Sequence, residues 1–377
     1  MIVPTIECDG VRLRVYRPDD LDAIVAGFAD PLTQRFMPSL PVPFTRQHGV
    51  HFLRETVSEA FVEGGCAYAI TDPATDRLLG GVGLERLVPA RGQAELGYWV
   101  TPQARGRGVA TAAVRALCGH AFAFGVQRLE LLTHWENAAS QRVALAAGFR
   151  REGVRRGAIP GRGGGRDDLL AYGRLADDPP GPTVRLLPDL PGGELTDGVV
   201  TLRPLTGDDL TFYTELHSTP DVVAASVPPV PPTPEEIRRR CAWAQAHWLN
   251  GDRADLVVQD AVHGSPAGTL GLFYQEPATA QAMIGYSMLP AFRGRGYQTR
   301  AVQLLTLWAF AETGIARLVA GTLPDNVSSQ RVLEKAGFRR EARLRSRLPG
   351  AHGRRSDDVQ FALLAEDLVR DGARLDG

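Results

Sequence analysis

The chain has 377 residues, of which 44% are hydrophobic and 23% charged, and its formal net charge is −1. That is too much chain for one ordinary core and comfortable for two domains of about 170 to 180 residues each. The balanced composition argues against disorder, and against nucleic acid as the main ligand.

Of the 42 basic residues only Lys335 is a lysine, a bias that reads first as a G+C-rich genome, although arginine also suits forked contacts to phosphate. Cys8, Cys66, Cys118 and Cys241 are scattered without close pairs, so neither a disulfide framework nor a zinc knuckle is indicated and a reducing cytoplasm is the expected location. No basic-then-apolar leader opens the sequence, and no apolar run approaches membrane-spanning length. Neither secretion nor membrane insertion is expected.

In chain order, the pattern predicts a strand over Val11 to Tyr16, then Arg17-Pro-Asp-Asp20 leading into a helix capped by aspartate. Pro38, Pro41 and Pro43 mark a loop. Strand-like Leu96-Gly-Tyr98 precedes the turn Gln103-Ala-Arg-Gly-Arg-Gly108, after which Val109, Ala113, Ala116, Leu117 and Ala121 fall on one helix face. Gly125 is a natural helix stop, Arg128 to Thr133 reads as a strand, and a short helix then ends at Gly148. Strands alternating with helices predict an α/β fold with a mixed sheet.

Breakers then crowd the chain, from Asp177-Asp-Pro-Pro-Gly-Pro182 to Asp197-Gly198, and predict a linker over 177–197 between domains 1–176 and 198–377. The second domain repeats the first. Val199 to Leu205 and Gly207-Asp-Asp209 match the opening strand and cap, while Pro228 to Pro234 match the proline loop. Ile284-Gly-Tyr286, Ala291-Phe-Arg-Gly-Arg-Gly296 and the face Ala301, Leu304, Leu305, Trp308 and Ala309 follow, with Gly314 as the expected stop. A strand over Arg317 to Thr322 and a short helix ending at Gly337 complete the copy. Gly106 and Gly294 lie 188 positions apart, and Arg14 and Arg203 lie 189 apart, so the register holds over nearly a whole domain. Repeats of this period are duplicated domains rather than a solenoid.

The glycine turns exclude two common phosphate loops. A dinucleotide fingerprint wants a third glycine where Thr111 and Thr299 stand, and a triphosphate loop wants a lysine that neither turn has. What remains is a shorter turn feeding a helix, with arginines at 105, 107, 293 and 295; backbone donors, the positive helix end and guanidinium groups together match a pyrophosphate. Taken alone, either copy reads more readily as a glycine loop used only to turn tightly. Two copies in the same context favour the anion cradle.

The run Glu95-Leu-Gly-Tyr-Trp-Val-Thr-Pro-Gln-Ala-Arg-Gly-Arg-Gly-Val-Ala-Thr111, with Asn137-Ala-Ala-Ser140 and Gly148-Phe149, resembles the GNAT superfamily of acetyl-CoA-dependent N-acetyltransferases. Within that superfamily the likeness is to the branch typified by ribosomal-protein N-terminal acetyltransferases (RimJ/RimL-like). It covers both repeats and implies two tandem GNAT-like folds, acetyl-CoA as cosubstrate, a primary amine as acceptor and no metal. By position it implies that Gln103, Arg105, Gly106, Arg107 and Gly108 line the pyrophosphate in the first copy, and Arg293, Gly294, Arg295 and Gly296 in the second. The second copy departs from the pattern at Ala291 and at Gln298, where a small residue like Ala110 is usual.

The resemblance also suggests Glu95 as general base or amine orienter, although strand alternation alone leaves it equally open as an outward side chain. The second copy has Met283 there. Ser140 and Ser329 are implied as donors to the leaving thiolate. Asn137 and Asn326 read as helix caps that also shape the pantetheine channel. Asp167-Asp168, Asp357-Asp358 and their flanking arginines read as solvated hairpin charge. No cysteine is placed by motif near the loops, so direct attack on the thioester is expected over an acyl-enzyme. Three alternatives stay open: a non-catalytic CoA-binding or structural module in one or both halves, another acyl-CoA donor, or an aminoacyl-tRNA donor. The assembly expected is a monomer with an internal pseudo-dimer, or a homodimer.

Overall fold

The computed structural model describes residues 4–350 and 353–372, and the chain divides into two compact units at Val184 and Arg185. In the first, β1 (Ile6–Cys8) and β2 (Val11–Arg14) are followed by α1 (Leu21–Ala29) and α2 (Pro31–Phe36). A continuous helical run follows, α3 (Arg46–His51), a π turn (Phe52–Thr56) and α4 (Val57–Val62). Then come β3 (Cys66–Thr71), β4 (Leu78–Val88), β5 (Gln93–Val100), α5 (Val109–Ala123), β6 (Arg128–His134), α6 (Ala138–Ala146), β7 (Arg150–Pro160) and β8 (Arg166–Leu175). The eight strands form one sheet in the order β1-β2-β3-β4-β5-β6-β8-β7. Only the β5·β6 pairing is parallel.

The second unit repeats this plan with β9 (Leu195–Thr196), β10 (Val200–Pro204), α7 (Leu210–Ser218), α8 (Pro220–Ala225), α9 (Pro234–Asn250), β11 (Arg253–Asp260), β12 (Pro266–Glu276) and β13 (Gln281–Met288). It continues with α10 (Tyr297–Glu312), β14 (Arg317–Thr322), α11 (Val327–Lys335), β15 (Arg339–Pro349), β16 (Arg355–Leu364) and α12 (Ala365–Gly372). Its sheet runs β15-β16-β14-β13-β12-β11-β10-β9, with β13·β14 parallel.

Side-chain period explains the layers. On α5, Val109, Ala113, Val114, Leu117, Cys118 and Ala121 are buried at three-and-four spacing. On β5, Ala94 and Leu96 are buried on one face, while Glu95, Gly97 and Trp99 point to the other, where Trp99 meets Phe28 of α1 with ring centroids 4.5 Å apart. The sheet is therefore covered on both faces.

Three local expectations are corrected. Asp20 and Asp209 make no side-chain cap to α1 or α7; each instead accepts the N–H of the residue three before it, Arg17 or Thr206, and a forked pair of bonds from Arg14 or Arg203 at 2.6–2.9 Å. The charged partner wins because a bidentate guanidinium–carboxylate pair joins two charges through two parallel bonds, whereas a cap pairs one charge with a neutral N–H. Gly314 is not the left-handed stop of α10, since the helix already ends where Thr313 turns extended. Gly125 does take φ +90° after α5. Finally, the expected linker is not a free connector. Thr183 donates through N and Oγ1 to the carbonyls of Leu145 and Phe149 at 2.8 Å, whereas Leu187 and Leu190 are buried in the core of the second unit. The prolines and glycines hold regular structure down to one short 3-10 turn and the two residues of β9, but the leucines between them still gain about 1.5–3 kcal/mol each from burial.

Candidate active site

The parallel pairs of β5 and β6 are Gln93 with Arg128, Ala94 with Leu129 and Glu95 with Glu130, and there the ladder stops. Beyond it β5 stays paired to β4 as far as Val100, and β6 to β8 as far as His134. The two strands therefore diverge, and the main-chain groups on their facing edges from Leu96 and Leu131 onward are left for an outside partner. In the second unit the β13·β14 ladder likewise ends at Met283 with Val319.

The glycine turn sits at the end of this opening. Gly106 and Gly108 take φ +71° and +77°, and an added Cβ at either would meet open space, so the glycines are needed for conformation and not for packing. Gly108 is the N-cap of α5, which leaves the first-turn N–H groups without intrahelical acceptors. Gly294 and Gly296 repeat the geometry at +75° and +79° before α10. An anion with several oxygens fits such a cradle by hydrogen bonding and by the helix dipole.

The arginines of the turn divide into two kinds. Arg105 is turned back to Asp30 and to Thr33 Oγ1 at 3.0 Å, and Arg293 to the Met288 carbonyl at 2.8–3.0 Å and to Asp221. These two brace the loop against the neighbouring helices. Arg107 and Arg295 are exposed beside the glycines; the charge of Arg107 helps hold Asp72 below the usual carboxylate range, and Arg295 lies over the Phe292 ring at 5.5 Å. Gln103 is exposed one turn earlier. Gln298, in the first turn of α10, is buried with neither amide atom partnered. A buried unsatisfied amide is costly, and it marks the second cradle as chemically different from the first.

Glu95 lies in a row of carboxylates. Register places Glu85 directly across from it on β4 and Glu130 on β6, so all three share one sheet face. Glu130 is held by Arg128 at 2.9 Å and by Arg155. Glu95 Oε2 accepts from Arg86 Nη1 at 2.8 Å, and Arg86 sits in a β4 bulge at φ +49°. A non-glycine residue in that region is strained, and here the strain aims the guanidinium back at the carboxylate. Burial pushes the Glu95 carboxyl above its ordinary range, against the opposing pull of Arg86. Arg86 carried no sequence signal; only the bulge brings it to Glu95. In the second unit the same row reads Phe273, Met283 and Val319.

Ser140 and Ser329 each meet a tyrosine from the strand opposite. Tyr98 donates to Ser140 Oγ at 2.9 Å, and the Tyr286 hydroxyl lies 2.9 Å from Ser329 Oγ and donates to the Ser329 carbonyl at 3.1 Å. These contacts bridge β5 to α6 and β13 to α11, and burial raises both phenols, Tyr286 to about 12. Asn137 and Asn326 are N-caps, each accepting the serine N–H at 3.1 Å. The next residue pins the turn: Gln141 donates to the carbonyls of His134 and Trp135, and Gln330 to those of Leu323 and Pro324. Both the tyrosines and the glutamines were visible as duplicated positions, but a repeat alone does not say which copies touch the site.

The hairpin charges are partly structural. Arg162 Nη2 donates to the carbonyls of Gln34, Met37 and Leu40 at 3.1 Å each, so it clamps the loop after α2 rather than standing in solvent. Asp168 accepts the Gly157 N–H at 2.7 Å, and Asp357 accepts the Ser346 N–H at 2.8 Å. Among the described residues no group of three or more His, Cys, Asp or Glu side chains is placed to hold a metal ion, and no helix is long and apolar enough to cross a membrane.

The chain is similar to a Bacillus subtilis protein described as a probable N-acetyltransferase, YjcK, at 45% identity over 75 residues, which is 20% of this chain and 41% of that one. It is 32% identical over 103 residues to the ribosomal-protein-serine acetyltransferase of Escherichia coli, covering 27% of this chain and 57% of that one. It thus spans about half the length of these two curated relatives. A solved ribosomal L7/L12 alpha-N-protein acetyltransferase in complex with coenzyme A is 20% identical, with a TM-score of 0.41 over 46% of this chain and 97% of that one. The acetyltransferase (GNAT) domain family matches twice, at residues 11–150 and 200–339, together well over half of the sequence. With both matches spanning a diverging strand pair and a left-handed glycine turn, the chain belongs to the GNAT acetyltransferase family as a tandem pair.

Proposed function

We propose that the chain is an acetyl-CoA-dependent N-acetyltransferase in which at least the first unit transfers an acetyl group to a primary amine by direct attack on the thioester. The observation that carries this reading is the end of the β5·β6 ladder at Glu95, beside the open turn of Gly106 and Gly108. Acetyl-CoA would supply the activated acyl group and a thiolate leaving group. The first-turn N–H groups of α5 and the Arg107 guanidinium are suited to its diphosphate, and the unpaired edges of β5 and β6 to the amides of its pantetheine arm.

Deprotonation of the acceptor falls to Glu95. An alkylammonium has a pKa of about 10.4 and needs a base, whereas a peptide α-amine, at about 7.7 to 8.0, needs little help. A carboxylate raised by burial is the better proton acceptor, while the Arg86 guanidinium favours its ionised form. At the other end, Tyr98 donates to Ser140 Oγ, which leaves the serine O–H free to turn toward the opening and protonate sulfur. The acceptor itself is outside these motifs and is proposed only as a primary amine, small molecule or peptide N-terminus. We further propose two domains whose boundary falls within the 177–197 segment, at Val184 and Arg185, a cytoplasmic location, and a monomer with an internal pseudo-dimer or a homodimer.

A second reading applies to the second unit alone, as a CoA-binding module without efficient turnover, because Met283 replaces the carboxylate. Titrating the intact chain with coenzyme A, and assaying thiol release over a panel of amines, tests both. A side chain at Gly108 or Gly296 should weaken binding in its own unit by about 100-fold, the worth of two charge-assisted bonds. Unchanged coenzyme A binding in Gly108→Val would overturn the proposal.

A further inference from the structure

A cavity of about 150 Å³ lies against β13 in the second unit, lined among others by Tyr213, His217, Arg240, Asp255 and Tyr286. The charges around it do not cancel. Arg240 Nη2 donates to Asp255 Oδ1 at 2.6 Å, and outside the lining Arg253 Nε lies 2.7 Å from Asp255 Oδ2, so one carboxylate serves two guanidinium groups. Asp209 is already taken by Arg203 at 2.6 and 2.8 Å. His217 adds no charge at neutral pH, because burial and Arg240 hold it down at about 4. Its Nε2 and Arg240 Nε are buried without hydrogen-bond partners. An excess cation beside a cavity whose own arginine keeps a buried, unfilled N–H is an anion site waiting for its counter-charge.

The first unit shows that the fold does not require this arrangement. At the matching positions it has Phe28 for His217, Phe52 for Arg240, Ala67 for Asp255 and Gly65 for Arg253. Phe28, Phe52, Phe44, Trp99 and Tyr16 pack ring to ring there, with centroids 4.5–5.3 Å apart. Well-packed apolar groups are usually at least as stable as a buried charge cluster, so the second unit keeps its guanidinium groups for something other than stability.

We infer that this cavity binds a small amine-bearing carboxylate, its carboxylate on Arg240 and its amine toward the Gly285–Ser287 edge of β13. The inference names the acceptor class for the second unit and rests on the transferase reading above. The carboxylate end brings one negative charge to a single excess positive charge, whereas a phosphate dianion would bring two. A cavity of about 150 Å³ has room for a few heavy atoms.

The test uses the intact chain saturated with coenzyme A and titrated with β-alanine, n-propylamine and inorganic phosphate by calorimetry. β-Alanine should bind at least about 10-fold more tightly than n-propylamine, and Arg240→Gln should abolish that difference while coenzyme A binding is kept. A double variant, Arg240→Phe with Asp255→Ala, carries the first unit's residues and gives the same readout should the single variant misfold. Equal binding of the two amines, or an unchanged preference in either variant, overturns the inference and leaves the transferase reading standing. Tighter binding of phosphate overturns the carboxylate assignment. Failure of coenzyme A to bind sinks the transferase reading instead, and the β-alanine titration without it then decides the anion pocket by itself.

Discussion

The two units share a backbone and exchange their chemistry. Both end a parallel ladder after three pairs, both place two left-handed glycines before a long helix, and both bridge the opening with a tyrosine and a serine. Yet the first carries Glu85, Glu95 and Glu130 across the strands and an aromatic cluster behind them, while the second carries Phe273, Met283 and Val319 with a charged cavity behind. Acid at the opening goes with an apolar wall, and an apolar opening goes with a basic wall. On the proposed reading, what held after duplication is the main-chain geometry suited to a common cosubstrate, and what diverged is the surface offered to the acceptor.

The sharpest way to break this contrast is at the ladder's end. Glu95→Gln should lower kcat/KM of turnover in the first unit by about 100-fold or more if the carboxylate is the base. Because burial raises this carboxyl, the acid limb of the wild-type pH profile should lie above that of an ordinary glutamate. Activity appears as pH rises through that value, and Arg86→Gln, which removes the opposing pull, should move the limb higher still. A limb that does not move in Arg86→Gln would separate the two residues functionally.

Next in size is the tyrosine–serine bridge. Tyr98→Phe should lower kcat by about 10-fold with little change in KM if the hydroxyl pair feeds a proton to the leaving sulfur, whereas a spacer role alone would change KM first. Comparison with Tyr286→Phe tells whether the second unit uses the same route.

The wall behind the opening gives a smaller and opposite contrast in stability. His217 is held near 4 when folded against 6.5 in its ordinary state, so the unfolded chain binds the proton more readily. The second unit should lose about 2 kcal/mol as pH falls from about 6.5 to about 4, after discounting for partial exposure, and be unaffected above that range. His217→Phe, the first unit's residue, should flatten this loss in denaturant titrations. Least of all, Ala280 takes φ +53° where the first unit has Gly92 at +57°, so Ala280→Gly should stabilise by about 1 kcal/mol.

Sequence periodicity was enough for the opening strand, the strands flanking each glycine turn, the helix after it and the duplication, because these rest on local pattern and on main-chain conformations that glycine alone permits. Gly106 and Gly108 stood out for the same reason, Asn137 as a cap, and Ser140 only through the family resemblance. It could not show that Arg105 turns away to Asp30, since that depends on where α2 begins relative to the loop. Nor could it pair Arg86 with Glu95 or collect His217, Arg240 and Asp255 into one cavity, because a bulge makes the first contact and the packing of α7 on α9 and of α9 on β11 makes the second. Contacts between elements distant in sequence leave no period to read.

The leucines of the connecting segment bear on any attempt to dissect the molecule. Trp248 donates its indole N–H to the Pro188 carbonyl at 2.9 Å, and Leu187 and Leu190 fill the core beside it. A protease nick or an engineered start at residue 198 would strip those side chains away and orphan the indole, at a cost of several kcal/mol. A fragment beginning at Arg185 keeps its own plug, and the choice of cutting point would decide whether the isolated second half behaves as a protein or as a precipitate.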